Sequence, residues 1–293
     1  MLLDLKGFSV EYIQSISALI DRYDALLVDV WGVLHDGVQP YPGVIDCLSR
    51  LSEGGKRIVL LSNSARRVDQ VEQDLAGFGI VPGLYDCLVT SGELTRSAFE
   101  HDQDNNLARL GSCYYLLGSE KYGLTYGLDI CGTSDLTKAD FVLAIGIEGN
   151  PSSTEAQEKT LQEAVDRGLT MVCANPDISV NRSGVLGIGP GALAARYEEL
   201  GGQVIYFGKP YRAIYQHCLQ LLGTVIGSRM VAVGDSLRTD IAGARANGLD
   251  SLLVGTGVHA KELDGIPGET ARFSELCRRE GSVPNLLTKR FAW

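Results

Sequence analysis

The stretch Ala25-Leu26-Leu27-Val28-Asp29-Val30-Trp31-Gly32-Val33-Leu34-His35-Asp36-Gly37 decides the fold. Its first four residues are apolar, the fifth is an acid, and two glycines follow closely. A short apolar run without polar alternation is the pattern of a strand buried on both faces. Ending such a strand on a carboxylate places the charge at its carboxyl end, where open parallel sheets hold their ligands. Three more runs share this design. Arg57–Leu61 (RIVLL) leads into Ser62-Asn63-Ser64, Val204–Phe207 into Gly208-Lys209-Pro210, and Met230–Val233 (MVAV) into Gly234-Asp235-Ser236.

Helical patterns fall between these strands, at Val44–Leu51, Val68–Phe78, Ala213–Leu222 and Ile241–Asn247, with Ser251–Val254 as a further strand. Val10–Leu19 reads as an amphipathic helix. The alternation predicts a parallel sheet covered on both faces. Between about 90 and 200 lie three more apolar runs (Tyr114–Leu117, Phe141–Ile145, Thr170–Ala174) and three helical patterns (Ser91–Glu100, Thr154–Arg167, Ala192–Leu200). That middle region is long enough to form an inserted domain. A short helix is expected near Phe273–Glu280. At 293 residues the chain has room for about two domains.

Composition narrows the function. Hydrophobic residues are 45% and charged residues 21%, so a packed globular chain is expected. The net charge of −10 and pI near 4.9 argue against a broad nucleic-acid surface, though not against a local anion pocket. No apolar run has the length of a membrane span, and the acidic, apolar N-terminus lacks the basic start of a secretory signal. Cys47, Cys87, Cys113, Cys131, Cys173, Cys218 and Cys277 are scattered and form no C-x-x-C pair, so reduced core thiols in a cytoplasmic protein are expected.

Asp29, Ser62, Lys209 and Asp235 are complementary as chemistry. Two carboxylates share a hard cation; magnesium prefers such oxygen ligands together with substrate phosphate. A hydroxyl and an ammonium hold phosphate oxygens, and a carboxylate also serves as a nucleophile. Each residue alone has an ordinary reading, as a turn, a helix cap or a solvated lysine. The order and context of all four carry the information.

The four motifs resemble those of the haloacid dehalogenase-like hydrolases, subclass IIA: Asp29-Val30-Trp31-Gly32-Val33-Leu34, Leu61-Ser62-Asn63-Ser64, Gly208-Lys209-Pro210 and Gly234-Asp235-Ser236-Leu237-Arg238-Thr239-Asp240. Thr90-Ser91-Gly92, Asn175-Pro176-Asp177 and Val254-Gly255-Thr256-Gly257 add to the resemblance, which spans about residues 24–260. It implies a Rossmann-like, doubly wound core, at 1–88 and 201–293, with an α/β cap of type C2 inserted at 89–200. It further implies Asp29 as nucleophile and Mg²⁺ ligand, with the carbonyl of Trp31 and Asp235 completing the protein ligands and Asp240 in support. Ser62 and Lys209 would hold the transferring phosphoryl group. From the cap, Asn175, Asp177 and Arg182, with Asn63 of the second motif, would recognise a small phosphorylated metabolite. Sugar phosphates and nucleotides are the substrate classes suggested by family habit.

One position departs from the family. Its phosphatases carry a second aspartate, the general acid, where this chain has Trp31. An indole is no acid near neutral pH, and losing a general acid costs ~10²–10⁴ in rate. Three readings stay open. A phosphatase could use another donor, His35 or Asp36. The site could bind a phosphorylated metabolite and turn it over slowly or not at all. A dehalogenase, which carries an aromatic residue at this position, is disfavoured by Asp235 and the implied cap. Arg66 and Arg67 either rim the entrance or begin a helix. The sequence leaves the oligomeric state open.

Overall fold

The computed structural model describes residues 1–5, 8–101, 106–147, 153–182, 185–223 and 229–293, without the side chains of 181, 182, 185 and 186. The chain divides into two compact units. The first comprises Met1–Ser62, Glu72–Val89 and Lys209–Trp293; the second comprises Asn63–Val71 and Thr90–Gly208.

The first unit is built on eight strands: β1 (Leu2–Asp4), β2 (Ser9–Tyr12), β3 (Ala25–Asp29), β4 (Arg57–Ser62), β5 (Cys87–Thr90), β13 (Met230–Gly234), β14 (Asp250–Val254) and β15 (Leu286–Thr288). Their order is β1-β2-β15-β14-β13-β3-β4-β5. The ladder from β2 to β4 is parallel, and β1 turns back antiparallel on β2. Every residue of β3 and β13 is buried, as expected for central strands covered on both faces. Register aligns Val28 with Val233 and Asp29 with Leu61, so the carboxyl ends of β3, β4 and β13 lie level. One core layer joins Val10, Leu253, Leu287, Phe273 and Leu276, which fastens the C-terminal helix Thr270–Glu280 to the sheet.

The second unit has its own parallel sheet, from β6 (Cys113–Leu117), β7 (Cys131–Thr133), β8 (Phe141–Ala144), β9 (Thr170–Cys173) and β12 (Gln203–Tyr206), in the order β12-β9-β8-β6-β7. The strands β10 (Ser179–Arg182) and β11 (Val185–Ile188) form a separate antiparallel ribbon. Apolar clusters cover both faces of the five-stranded sheet, one around Met171, Leu193 and Tyr197, the other around Phe141, Leu143 and Val172.

Four local readings change. Val10–Leu19 is not one helix: Val10 and Tyr12 lie in β2, and a single 3₁₀ turn follows at Ile16–Leu19, capped by Ser15, whose Oγ accepts from Ser17 N at 3.1 Å. A short apolar run fits either period, and pairing with β1 and β15 decided it. β12, read beside the core strands, pairs with β9 in the other sheet. The unit limits therefore fall at 62/63, 71/72, 89/90 and 208/209, against expected limits at 88/89 and 200/201. Leu237–Ile241 forms a wide i→i+5 turn before the helix Ala242–Ala246 begins. Finally, Cys131 is exposed rather than a core thiol.

Candidate active site

Strand geometry gathers the motif residues of the first unit. Asp29 ends β3, Ser62 ends β4, Asp235 follows β13, and Lys209 opens the segment leading to the helix Arg212–Leu222. All are buried, as is Asp240. Lys209 is the hub. Its Nζ donates to Asp29 Oδ1 and, at 3.0 Å, to the Leu61 carbonyl, and it lies 2.7 Å from Asp240 Oδ1. Burial by itself would drive off the ammonium proton; the Asp240 and Asp29 carboxylates outweigh that and hold the Lys209 pKa well above its ordinary value.

Asp240 owes its aim to the wide turn. Its Oδ2 accepts from Ser236 N at 3.1 Å, leaving Oδ1 toward Lys209. The cap of this turn is Ser236, whose Oγ accepts from Thr239 N at 3.2 Å. Asp235 is held from another side, by Val258 N at 2.6 Å to its Oδ2. Gly32 and Gly257 both have positive φ, and a Cβ on either would collide with the Asp235 carboxylate, so the two glycines let backbone close around it. Thr256 Oγ1 donates to the Gly32 carbonyl at 2.6 Å and ties these loops together.

Asp29, Asp235 and Asp240 each offer a carboxylate oxygen within 4.8 Å of the others. Lys209 is the ammonium among them, so the cluster keeps excess negative charge. Burial, then the charges of Asp29 and Asp240, push the Asp235 pKa well above the carboxylate range. All-oxygen donors in electrostatic deficit fit a hard divalent cation such as Mg²⁺.

The flap after Asp29 is ordered by its own turns. Gly32 N donates to the His35 carbonyl at 2.9 Å and Leu34 N to the Val30 carbonyl at 2.9 Å. The Trp31 ring, 39% exposed, meets His35 edge-on with centroids 5.1 Å apart, and His35 packs on Phe78 at 4.8 Å. Of the two substitute donors, His35 is buried and its Nδ1 accepts from Gly37 N at 3.0 Å. Asp36 Oδ1 accepts from Val38 N and Gln39 N, both at 2.8 Å. Burial raises the Asp36 pKa, but the backbone N–H groups of Gln39, Val38 and Asp36 itself outweigh it and hold the pKa low. A carboxyl held ionised is poorly suited to give a proton, and its contacts are those of a turn residue.

Within the second unit, Asn63 Nδ2 donates to Asp177 Oδ1 at 2.9 Å, and Asp177 N donates to Asn175 Oδ1 at 2.9 Å. Three of the four expected recognition residues thus form one hydrogen-bonded chain. Arg182 lies on β10, opposite Val185, and its side chain is outside the described residues. Arg67 is engaged by Glu93 through two bonds, of 2.6 and 3.0 Å, and Arg66 reaches Ser64 Oγ at 3.3 Å. Ser91 joins the Asn63 carbonyl (2.7 Å) and the Ala174 carbonyl (2.6 Å), so it anchors both recognition loops. Its role was not read from sequence, although Thr90-Ser91-Gly92 stood out as a motif; only the three-dimensional meeting of two loops assigns it.

Comparisons with known proteins show the family. Residues 26–125 match the family described as haloacid dehalogenase-like hydrolase, and residues 206–273 match a HAD-hydrolase-like family. A solved haloacid dehalogenase-like hydrolase from Brucella suis 1330 is 31% identical, with a TM-score of 0.80, over 96% of this chain and 100% of that one. The chain belongs to the haloacid dehalogenase-like hydrolases, subclass IIA. Among other relatives, 5'-nucleotidase YutF of Bacillus subtilis is 27% identical over 82% of this chain and 90% of its own. Glycerol phosphate phosphatase Rv1692 of Mycobacterium tuberculosis, solved in complex with magnesium, is 25% identical with a TM-score of 0.62, over 87% of this chain and 74% of its own. Among the described residues, no helix is long and apolar enough to cross a membrane.

Proposed function

We infer that this hydrolase is a Mg²⁺-dependent phosphatase of a small phosphorylated metabolite. The observation that carries the reading is the buried cluster at the strand ends, where Lys209 bridges Asp29 and Asp240 while Asp235 completes an oxygen-rich site. Relatives acting on a nucleoside phosphate and a polyol phosphate support the substrate class.

In this reading an Asp29 oxygen bonds to phosphorus as the bond to the leaving alcohol breaks, forming an aspartyl-phosphate. Water then attacks the same phosphorus and frees Asp29. Lys209 and Ser62 hold the equatorial oxygens as their charge grows, and Asp240 keeps Lys209 aimed. Asp29, the Trp31 carbonyl and Asp235 would hold Mg²⁺, which when bound neutralises phosphoryl charge. Asn63, Asn175, Asp177 and Arg182 recognise the rest of the substrate. A cytoplasmic location fits the composition.

Trp31 favours a second reading, in which the site binds a phosphorylated metabolite and turns it over slowly. The test is phosphate release from nucleoside monophosphates, sugar phosphates and polyol phosphates, with Mg²⁺ or with chelator, beside halide release from 2-haloacids. The phosphatase reading expects Mg²⁺-dependent phosphate release that Asp29→Asn abolishes. Tight binding without turnover would select the second reading, and metal-independent halide release would overturn both.

A further inference from the structure

Two of the seven cysteines, Cys113 and Cys131, stand opposite each other in a strand pair. Cys47, Cys173, Cys218 and Cys277 are buried and Cys87 is half-buried, whereas Cys131 is exposed and Cys113 is half-buried. These two are direct register partners, Cys113 on β6 facing Cys131 on β7, the edge strand of the second unit's sheet. Partners in a ladder project to the same face, and adjacent strands lie about 4.8 Å apart. That spacing falls inside the ~4.4–6.8 Å between Cα atoms that a disulfide spans. As register partners the two cysteines stand side by side on one face of the sheet.

The backbone around the pair is fixed. Cys131 N donates to the Ser112 carbonyl at 2.8 Å, and Asp140 N to the Cys113 carbonyl at 2.7 Å. Asp140 Oδ2 accepts from Ser112 N at 3.0 Å and from Cys113 N at 2.8 Å. These hydrogen bonds hold the register in which the two cysteines stand opposite each other.

We propose that Cys113 and Cys131 are a redox-active thiol pair, which closes to a disulfide across β6 and β7 when it meets a small disulfide oxidant of the glutathione class. The exposed Cys131 sulfur, as thiolate, attacks one sulfur of the oxidant, breaks its S–S bond and releases one glutathione thiolate. Cys113 then loses its proton and attacks the Cys131 sulfur of the mixed disulfide, expelling the second glutathione. Two protein thiols are oxidised, and one glutathione disulfide is reduced to two thiols. Exposure makes Cys131 the sulfur that meets the oxidant, while burial, then the neighbouring Cys131 and the Asp140 charge, raise the Cys113 pKa and disfavour it as the first nucleophile. A disulfide on an exposed edge is open to reductant, the property of labile rather than permanent bridges. It would close a loop from Cys113 to Cys131 that contains the turn Glu120–Tyr122.

The test uses the full chain in glutathione buffers of graded oxidised-to-reduced ratio, quenched by alkylation and mapped by mass spectrometry. The expected product is a Cys113–Cys131 linked peptide that forms and reverses with the ratio, while Cys47, Cys87, Cys173, Cys218 and Cys277 are recovered as alkylated thiols. In Cys131→Ser, Cys113 should be recovered without any disulfide. Accumulation of a Cys131–glutathione adduct beside free Cys113, pairing of either with another cysteine, or no reaction in the most oxidising buffer would each overturn the proposal. The wild-type mapping stands without any variant, so a folding defect in Cys131→Ser leaves the outcome readable.

Discussion

Trp31→Asp restores a carboxyl where the family's phosphatases carry their general acid, and the expected gain stands against a loss that the structure sets. A general acid contributes ~10²–10⁴ in rate, or about 3–6 kcal/mol of barrier at ~1.4 kcal/mol per tenfold. Against this stands the loss of the indole. Trp31 is 39% exposed, so about three-fifths of its surface is covered. For a tryptophan of ~200 Å² that is roughly 120 Å², worth about 3 kcal/mol at ~25 cal/mol per Å². The edge-on contact with His35 adds about 1 kcal/mol. Both figures are upper bounds, since unfolded chains also bury apolar surface. The loss is thus comparable with the expected catalytic gain, but it falls on a flap outside the sheet, so a folded variant is expected. The assay is kcat/KM for an alkyl phosphate, such as glycerol phosphate, beside p-nitrophenyl phosphate, after a thermal melt confirms folding. Wild type should favour the aryl ester, whose leaving group needs no proton. The variant should gain about a hundredfold on the alkyl ester, the lower end of the general-acid range, with little change on the aryl one. A folded variant without alkyl gain, beside a wild type equally active on both, would refute the reasoning and point to a donor already present. His35→Gln and Asp36→Asn, assayed separately, would then locate it.

Asp235→Asn should relieve repulsion in the metal-free protein and lose the Mg²⁺-dependent rise in melting temperature that binding gives wild type; undiminished Mg²⁺ affinity by titration would remove Asp235 from the site. Asp240→Asn should lower kcat at least tenfold and cost about 3 kcal/mol in urea unfolding, because it takes a buried partner from Lys209. His259 is buried with its pKa lowered, chiefly by desolvation, and its Nε2 accepts from Leu237 N at 3.4 Å. The unfolded chain then takes up a proton near pH 6.5 that the fold refuses, so stability should fall as pH drops through that value. His259→Gln should flatten the slope, and an unchanged slope in pH-dependent melts would exclude this group as its source.

What was legible in the sequence were strands whose burial leaves no choice. Ala25–Asp29 and Met230–Gly234 are apolar throughout because both faces are covered, and the charged residue that closes each run was visible as the exception. The gathering of Asp29, Lys209, Asp235 and Asp240 follows from that topology. Val10–Leu19 failed because a short apolar run is compatible with either period, and only the neighbouring strands decide. β10 carries little strand signal because Ser179–Arg182 has neither the length nor the apolar content of a core strand. The closure around Asp235 was hidden for a different reason. It is made by the N–H of Val258 and by the absent side chains of Gly32 and Gly257, and a backbone donor leaves no mark in the residue code.

The same distinction between backbone and side chain explains how Trp31 sits in a motif otherwise intact. On the proposed reading the metal ligand at this position is a carbonyl, which any residue supplies, so the aspartate-to-tryptophan difference does not touch the Mg²⁺ ligands. On the same reading, what changes is the group set toward the leaving oxygen. The flap is built around that change. Gly37 has positive φ, and a Cβ there would overlap the Trp31 ring. His35 lies between Trp31 and Phe78, and Asp36 is spent on the turn that carries Gly37. On the proposed reading, a flap that holds this side chain in place suits a reaction whose leaving group demands little from an acid, which is what the comparison of aryl and alkyl esters tests.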